Sequence, residues 1–276
     1  MEKQIQKFKI KKHGKYFYRG NWDEKLFKNS IAIVGSRQMT KYGQFVIDKF
    51  VSDFVINGIT TISGFMYGVD TEVAKKTVEY GGKHIAVFGC GLDTIYPAEN
   101  EKLYSDILES GGLVVSEYEP NAKPHLWKFP QRNKIVVDFA SIGILVVEAG
   151  IKSGSLVTAE IAKKSGKKVW AVPGPITSKV SEGCNELIKS GEARMAVSVS
   201  DILGHRVKRT ASSLKQIPND LNETELKIHK ALQLEPLEID EIAFKLGVGV
   251  VEIGTTLSLM AIKGLVTESG GKYFVN

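Results

Sequence analysis

Short, strongly apolar runs that stop at glycine recur along the chain, and they constrain the fold more than any other feature. Residues 31–34 end at Gly35, residues 59–62 at Ser63-Gly64, and residues 85–88 at Gly89. Further runs lie at 113–115, 142–147 and 169–172. Segments of helical length, 42–57, 69–80, 100–110 and 156–165, separate them. A strand that is apolar at successive positions needs cover on both faces, the condition of a parallel sheet between two helical layers. Asn57-Gly58, Gly81-Gly82, Gly111-Gly112 and Ser165-Gly166 fall where the helices should stop, because glycine takes the left-handed conformation that closes a helix. The expected fold class is α/β, with a Rossmann-like parallel sheet core.

The pattern changes after residue 206. Residues 207–220 hold Lys208-Arg209, Ser212-Ser213 and Pro218 with no apolar period, and read as a linker. Helical periods follow at 223–232, 239–246 and 250–263. Segments 265–268 and 272–275 flank a Ser269-Gly270-Gly271 turn and read as a hairpin. Three helices and a hairpin make a winged-helix pattern. The expected division is a core at 1–206, a linker at 207–220 and a small C-terminal winged-helix domain at 221–276.

Charge sharpens the question of partner. The 276-residue chain carries +6, but residues 216–276 hold five Lys or Arg against nine Asp or Glu, leaving +10 on residues 1–215. A basic body fits an anionic partner such as nucleic acid, although net charge alone is not a binding patch. No apolar stretch approaches the roughly 20 residues of a membrane span. The basic residues 1–12 lack the apolar centre of a secretory signal. Cys90 and Cys184 stand far apart, so neither a disulfide framework nor a zinc site is expected, and a reducing cytoplasm fits.

In an open parallel sheet, ligands bind outside the carboxyl ends of the strands. Three loops there suit an anion. Gly35-Ser36-Arg37 opens a helix whose free N–H groups can meet a phosphate, with Arg37 adding a charge-assisted bond. Ser63-Gly64 precedes Gly68-Val69-Asp70, and Ser153-Gly154-Ser155 precedes Thr158. Any one of them alone reads more simply as a structural turn; three at one sheet edge point to an anion site. A fourth feature is Trp127-Lys128-Phe129-Pro130-Gln131-Arg132-Asn133-Lys134. Rings interleaved with cations suit a single strand, because bases stack on rings while cations follow phosphates. The competing reading buries Trp127 and Phe129 and leaves the cations to solvent.

Signals of catalysis are weak. Gly89-Cys90-Gly91 lacks the third glycine of a dinucleotide fingerprint, and no GxxxxGK[ST] loop is present. His13, His84, His125, His205 and His229 show no metal spacing. Glu117 and Glu148 follow apolar runs, where a base, a helix cap or an Arg partner all fit; the latter two are preferred. No catalytic residue, metal or cofactor is expected.

Taken together, these motifs are familiar. Ala32-Ile33-Val34-Gly35-Ser36-Arg37, Ser63-Gly64 with Gly68-Val69-Asp70, Gly89-Cys90-Gly91-Leu92-Asp93 with Tyr96-Pro97, Phe129-Pro130-Gln131-Arg132-Asn133, Val146-Val147-Glu148-Ala149, Ser153-Gly154-Ser155 and Ala171-Val172-Pro173-Gly174 occur in that order. From about residue 18 to residue 201 the chain resembles the DprA/Smf family of DNA-processing proteins, and the tail resembles that family's common C-terminal domain. The resemblance implies an extended Rossmann fold in a cytoplasmic homodimer that binds single-stranded DNA during natural transformation and homologous recombination. It implies protection of that DNA, displacement of single-strand-binding protein and loading of the RecA recombinase, without turnover. By motif match the DNA-binding residues are Ser36, Arg37, Gly64, Lys128, Phe129, Arg132, Asn133, Lys134, Gly154 and Ser155.

Three departures qualify the match. About 17 residues precede Tyr18, so the N-terminal helical domain frequent in the family is not expected. Ala98 follows Tyr96-Pro97 where some relatives carry a lysine. The last helical segment offers only Lys263 as a cation, and duplex binding is driven by cations, so the tail reads as an interaction or regulatory module. Two other readings stay open. The core also resembles nucleoside-monophosphate phosphoribohydrolases, although residues 148–155 lack their Pro-Gly-Gly-x-Gly-Thr form. A protein scaffold acting through the tail is the other.

Overall fold

Each apolar run of the core becomes a strand, and the segments between become helices. The computed structural model describes residues 6–10, 14–204 and 221–275. The linker expected at 207–220 lies outside the described residues. The core runs β1 (Gln6–Ile10), β2 (Gly14–Gly20), α1 (Lys25–Lys28), β3 (Ser30–Val34), α2 (Lys41–Ile56), β4 (Thr60–Ser63), α3 (Val69–Glu79), β5 (His84–Phe88) and α4 (Glu101–Glu109). It continues with β6 (Leu113–Ser116), α5 (Lys128–Phe139), β7 (Gly143–Val146), α6 (Gly154–Lys164), β8 (Val169–Ala171), α7 (Glu182–Lys189), β9 (Arg194–Met195) and α8 (Ser200–Leu203).

The nine strands form one sheet in the order β1-β2-β6-β5-β4-β3-β7-β8-β9. From β6 to β9 every neighbouring pair is parallel; the β1–β2 hairpin joins β6 antiparallel. Alternate residues of a strand face opposite layers. Ala32 and Val34 pack with Ile135, Val136, Ala159 and Ala162 of α5 and α6. Ile31 and Ile33 pack with Ile47, Phe50, Val69 and Val73 of α2 and α3. The sheet is covered on both faces, as its apolar runs require. Gly58, Gly81, Gly111 and Gly166 stand just past α2, α3, α4 and α6 with φ of 69°, 71°, 81° and 69°.

The aromatic and cationic run at 127–134 opens α5, a helix that composition did not disclose. Pro130 fits there because the first turn of a helix has no partner for its N–H. The helical period then sets Phe129, Arg132, Ile135, Val136 and Phe139 on a buried side and leaves Gln131 and Lys134 exposed.

The chain divides into two compact units, Met1–Thr210 and Ala211–Asn276. The second contains α9 (Glu223–Leu234), β10 (Leu237–Glu238), α10 (Ile239–Leu246), α11 (Val250–Ile262), β11 (Val266–Ser269) and β12 (Lys272–Val275). Its three strands form an antiparallel sheet in the order β10-β12-β11 around which Ile228, Leu232, Ile242, Ile253, Leu257 and Met260 are buried. Two-residue β10 is too short to show alternation in the sequence. Lys263, just past α11, is committed to Glu225, with Nζ 2.7 Å from Oε1. Among the described residues, no single helix is long and apolar enough to cross a membrane.

Candidate nucleic-acid interface

The sheet order reverses between β3 and β7: one half of the chain builds outward from β3 through β4 and β5, the other from β7 through β8. Such a switch point leaves a crevice between the loops that leave the two strands in opposite directions. A cleft of about 660 Å³ lies there. Its walls are the loop after β3 (Gly35, Ser36, Arg37, Gln38), the loop after β4 (Gly64, Met66, Tyr67), the loop after β7 (Gly150, Lys152, Ser153) and the first turns of α5 and α6.

Eight of the ten residues expected from sequence line this cleft: Ser36, Arg37, Gly64, Phe129, Arg132, Asn133, Gly154 and Ser155. Lys128 and Lys134 lie on α5 outside its lining. The loop after β3 is held in shape locally, with the Gln38 N–H donating to Ser36 Oγ at 3.0 Å and the Val69 N–H to the Ser36 carbonyl at 3.1 Å. Arg37 is exposed at the mouth. Ser153 caps α6 by accepting from the Ser155 N–H at 3.3 Å, and exposed Gly154 presents its backbone with open space where a Cβ would stand.

Three residues depart from the expected role of direct contact. Phe129 is 7% exposed; Tyr96 stacks on it at 5.7 Å, and the backbone of Gly89 approaches so closely that a Cβ there would strike its ring. An open face for a base is therefore absent. Arg132 is 3% exposed, and Nη1 donates to the carbonyls of Gly64 and Val87. It ties the ends of β4 and β5 to α5, and a side chain on Gly64 would collide with its guanidinium. Lys128 is 7% exposed and donates to the Lys123 carbonyl at 2.7 Å. The reason is common to all three: α5 packs against the sheet, and its buried side takes them.

Behind the loop after β4 lies a buried polar chain. Thr77 meets Thr61 at 2.7 Å, Thr61 meets His84 Nδ1 at 2.8 Å, and His84 Nε2 meets Ser63 Oγ at 3.2 Å. Burial pushes the His84 imidazole down to about 3, so it is neutral and serves structure. Ser63 Oγ also donates to the Asp70 carbonyl at 3.1 Å, which fixes the loop that carries Gly64. Glu148 is likewise structural. It is 1% exposed and accepts from the Thr40 N–H at 3.0 Å and the Thr40 hydroxyl at 2.5 Å, holding the start of α2.

The cleft has a cationic rim over one acid. Arg37, Lys152 and Lys179 are exposed lining residues, and Arg132 lies beneath. Asp70 faces them; burial pushes its carboxyl up to about 6, opposed by the nearby Arg132 and Arg37 charges and by the N–H of Met66. Lys152 was readable beside Ser153. Lys179 carries no local signal: the Gly183 N–H donates to the Ala149 carbonyl at 2.7 Å, bringing the segment before α7 to the loop after β7. Among the described residues, no group of three or more His, Cys, Asp or Glu is placed to hold a metal.

Residues 8–206, which supply every wall of this cleft, match the family model for DNA recombination-mediator protein A. The chain belongs to the DNA recombination-mediator protein A family. Among relatives in that family, DNA processing protein DprA of Streptococcus pneumoniae is 40% identical over 187 residues, covering 68% of this chain and 64% of its own length. The chain thus spans less than two thirds of that relative. Protein Smf of Escherichia coli is 34% identical over 260 residues, covering 90% of this chain and 68% of its own. The solved DNA processing protein A of Helicobacter pylori, described for its single-stranded DNA binding mode, superposes with a TM-score of 0.65 at 27% identity, covering 72% of this chain and 94% of its own.

Proposed function

We propose that this family member binds single-stranded DNA without reading its sequence and acts as a recombination mediator, not as an enzyme. One observation carries the reading: the exposed cations Arg37, Lys152 and Lys179 rim a cleft to which the start of α6 presents the exposed backbone of Gly154. Cations and backbone donors suit phosphates, which position a strand but hold no sequence information. The single-strand binding described for the Helicobacter pylori protein supports the same partner. Commitment of Glu148 to the start of α2 takes away one of the two carboxylates, Glu117 and Glu148, that the sequence offered as a base. Protection of the strand, displacement of single-strand-binding protein, loading of RecA, a homodimer and a cytoplasmic site extend the reading on the strength of the family.

The C-terminal unit carries a second role. We assign it a winged-helix fold used for protein contact, because Phe244, Val251 and Ile262 lie exposed there while Lys263 is committed to Glu225.

Fluorescence anisotropy with labelled poly-dT, a matching duplex as competitor and a salt titration tests the main reading. Tight binding that weakens with salt and yields poorly to duplex is the expected result. No binding at low salt overturns it and favours a small-nucleotide ligand for the same cleft.

A further inference from the structure

With Phe129 covered, Tyr67 is the exposed ring in the lining of the cleft, and a larger ring stands at its edge. Trp127, the residue before α5, is 58% exposed, and Leu126, which lines the cleft, is 83% exposed. The indole is braced. His125 lies parallel to it at 6.3 Å and 11°, Tyr118 meets it edge-on at 6.4 Å, and the Lys128 ammonium stands 5.6 Å from its centre. The brace is itself held, since Lys128 donates to the Lys123 carbonyl and lies 4.7 Å from the Tyr118 ring, whose hydroxyl donates to the Lys128 carbonyl at 3.3 Å.

We propose that Trp127 is a base-stacking platform on the rim of the cleft, taking one base of a bound strand where it leaves the phosphate-binding loops. The inference rests on the reading of the cleft as a single-strand site. A flat ring already held by its neighbours loses little freedom when a base stacks on it, and every base has a π-face, so the contact tolerates any sequence. The surroundings fit a nucleobase on a polyanion: Lys123 and Lys134 are exposed on the same segment, and Lys128 adds its charge beside the ring. Lys128 thus acts through the platform and not by reaching a phosphate.

Trp127→Ala and Trp127→Phe in the full chain test the proposal, with labelled oligo-dT and an abasic strand of equal length, after thermal melts confirm folding. Trp127→Ala is expected to weaken oligo-dT binding roughly 5- to 150-fold, the range of one lost stack. It should leave the abasic strand nearly unaffected, and Trp127→Phe should recover most of the loss. Trp22 is half-buried and Trp170 is 2% exposed, so quenching of indole emission by oligo-dT should vanish in Trp127→Ala. Wild-type affinity for oligo-dT in Trp127→Ala overturns the platform, as does an equal loss on the abasic strand. Unchanged DNA affinity with an altered oligomeric state would make the ring a protein contact instead. A wild-type chain that binds neither strand overturns the single-strand reading, and the platform falls with it.

Discussion

The Arg37 guanidinium carbon stands 5.8 Å from the centre of the Phe129 ring. A ring buried for packing therefore holds an exposed cation at the mouth of the cleft, an attraction worth about 0.5–1 kcal/mol at such sites. Arg37→Ala should weaken single-strand binding alike for all base compositions and lower the salt slope by about one. Titrations of oligo-dT and oligo-dA across a salt series check this; an unchanged slope in a folded variant would remove Arg37 from the phosphate contacts.

Arg132 is expected to behave as a structural residue. Arg132→Leu leaves the Gly64 and Val87 carbonyls without their donor and Asp70 without its largest compensating charge. Loss of one partner from such a buried set costs roughly 3 kcal/mol or more. Urea denaturation of the variant measures it. A loss under about 0.5 kcal/mol, typical of a surface substitution, would return Arg132 to the role of a simple phosphate contact.

Asp70 makes stability depend on pH with a definite sign. Its carboxyl is raised from 3.8 to about 6 in the fold, so the native state binds the proton more tightly than the unfolded chain. Its contribution is therefore most favourable below about pH 4, declines as the pH rises towards about 6, and is level above that. Asp70→Asn removes this one titration. The urea midpoint of wild type relative to Asp70→Asn should fall between pH 4 and pH 6; a difference that is flat across that range contradicts the assignment.

Glu148→Ala removes both acceptors that hold Thr40 and the start of α2. Loss of such a cap, here buried and charged, should cost about 2 kcal/mol. Thermal or urea unfolding reads it, and the loop from Ser36 to Thr40 should exchange amide protons faster. Wild-type stability would show that the carboxylate is free for another purpose.

The fold was legible because its signals are local. Strands that need cover on both faces show as apolar at successive positions, and the glycines after α2, α3, α4 and α6 mark stops by their positive φ. The β1–β2 hairpin stayed hidden. It joins β6 through main-chain hydrogen bonds, and those leave no mark on side-chain type.

The site divides in the same way. Gly35-Ser36-Arg37 and Ser153-Gly154-Ser155 announced themselves, because a backbone that approaches an anion at a helix start needs small residues in a fixed local order. Composition by itself showed rings and cations at 127–134 but could not say which faced water. Only the docking of α5 on the sheet decided that Phe129, Lys128 and Arg132 are buried while Trp127 is exposed. Only the contact between the α7 segment and the loop after β7 brought Lys179 to the rim. A periodic pattern fixes what a segment becomes, since its hydrogen bonds and apolar period lie within it; which side of a helix meets a neighbour depends on residues far away in the chain.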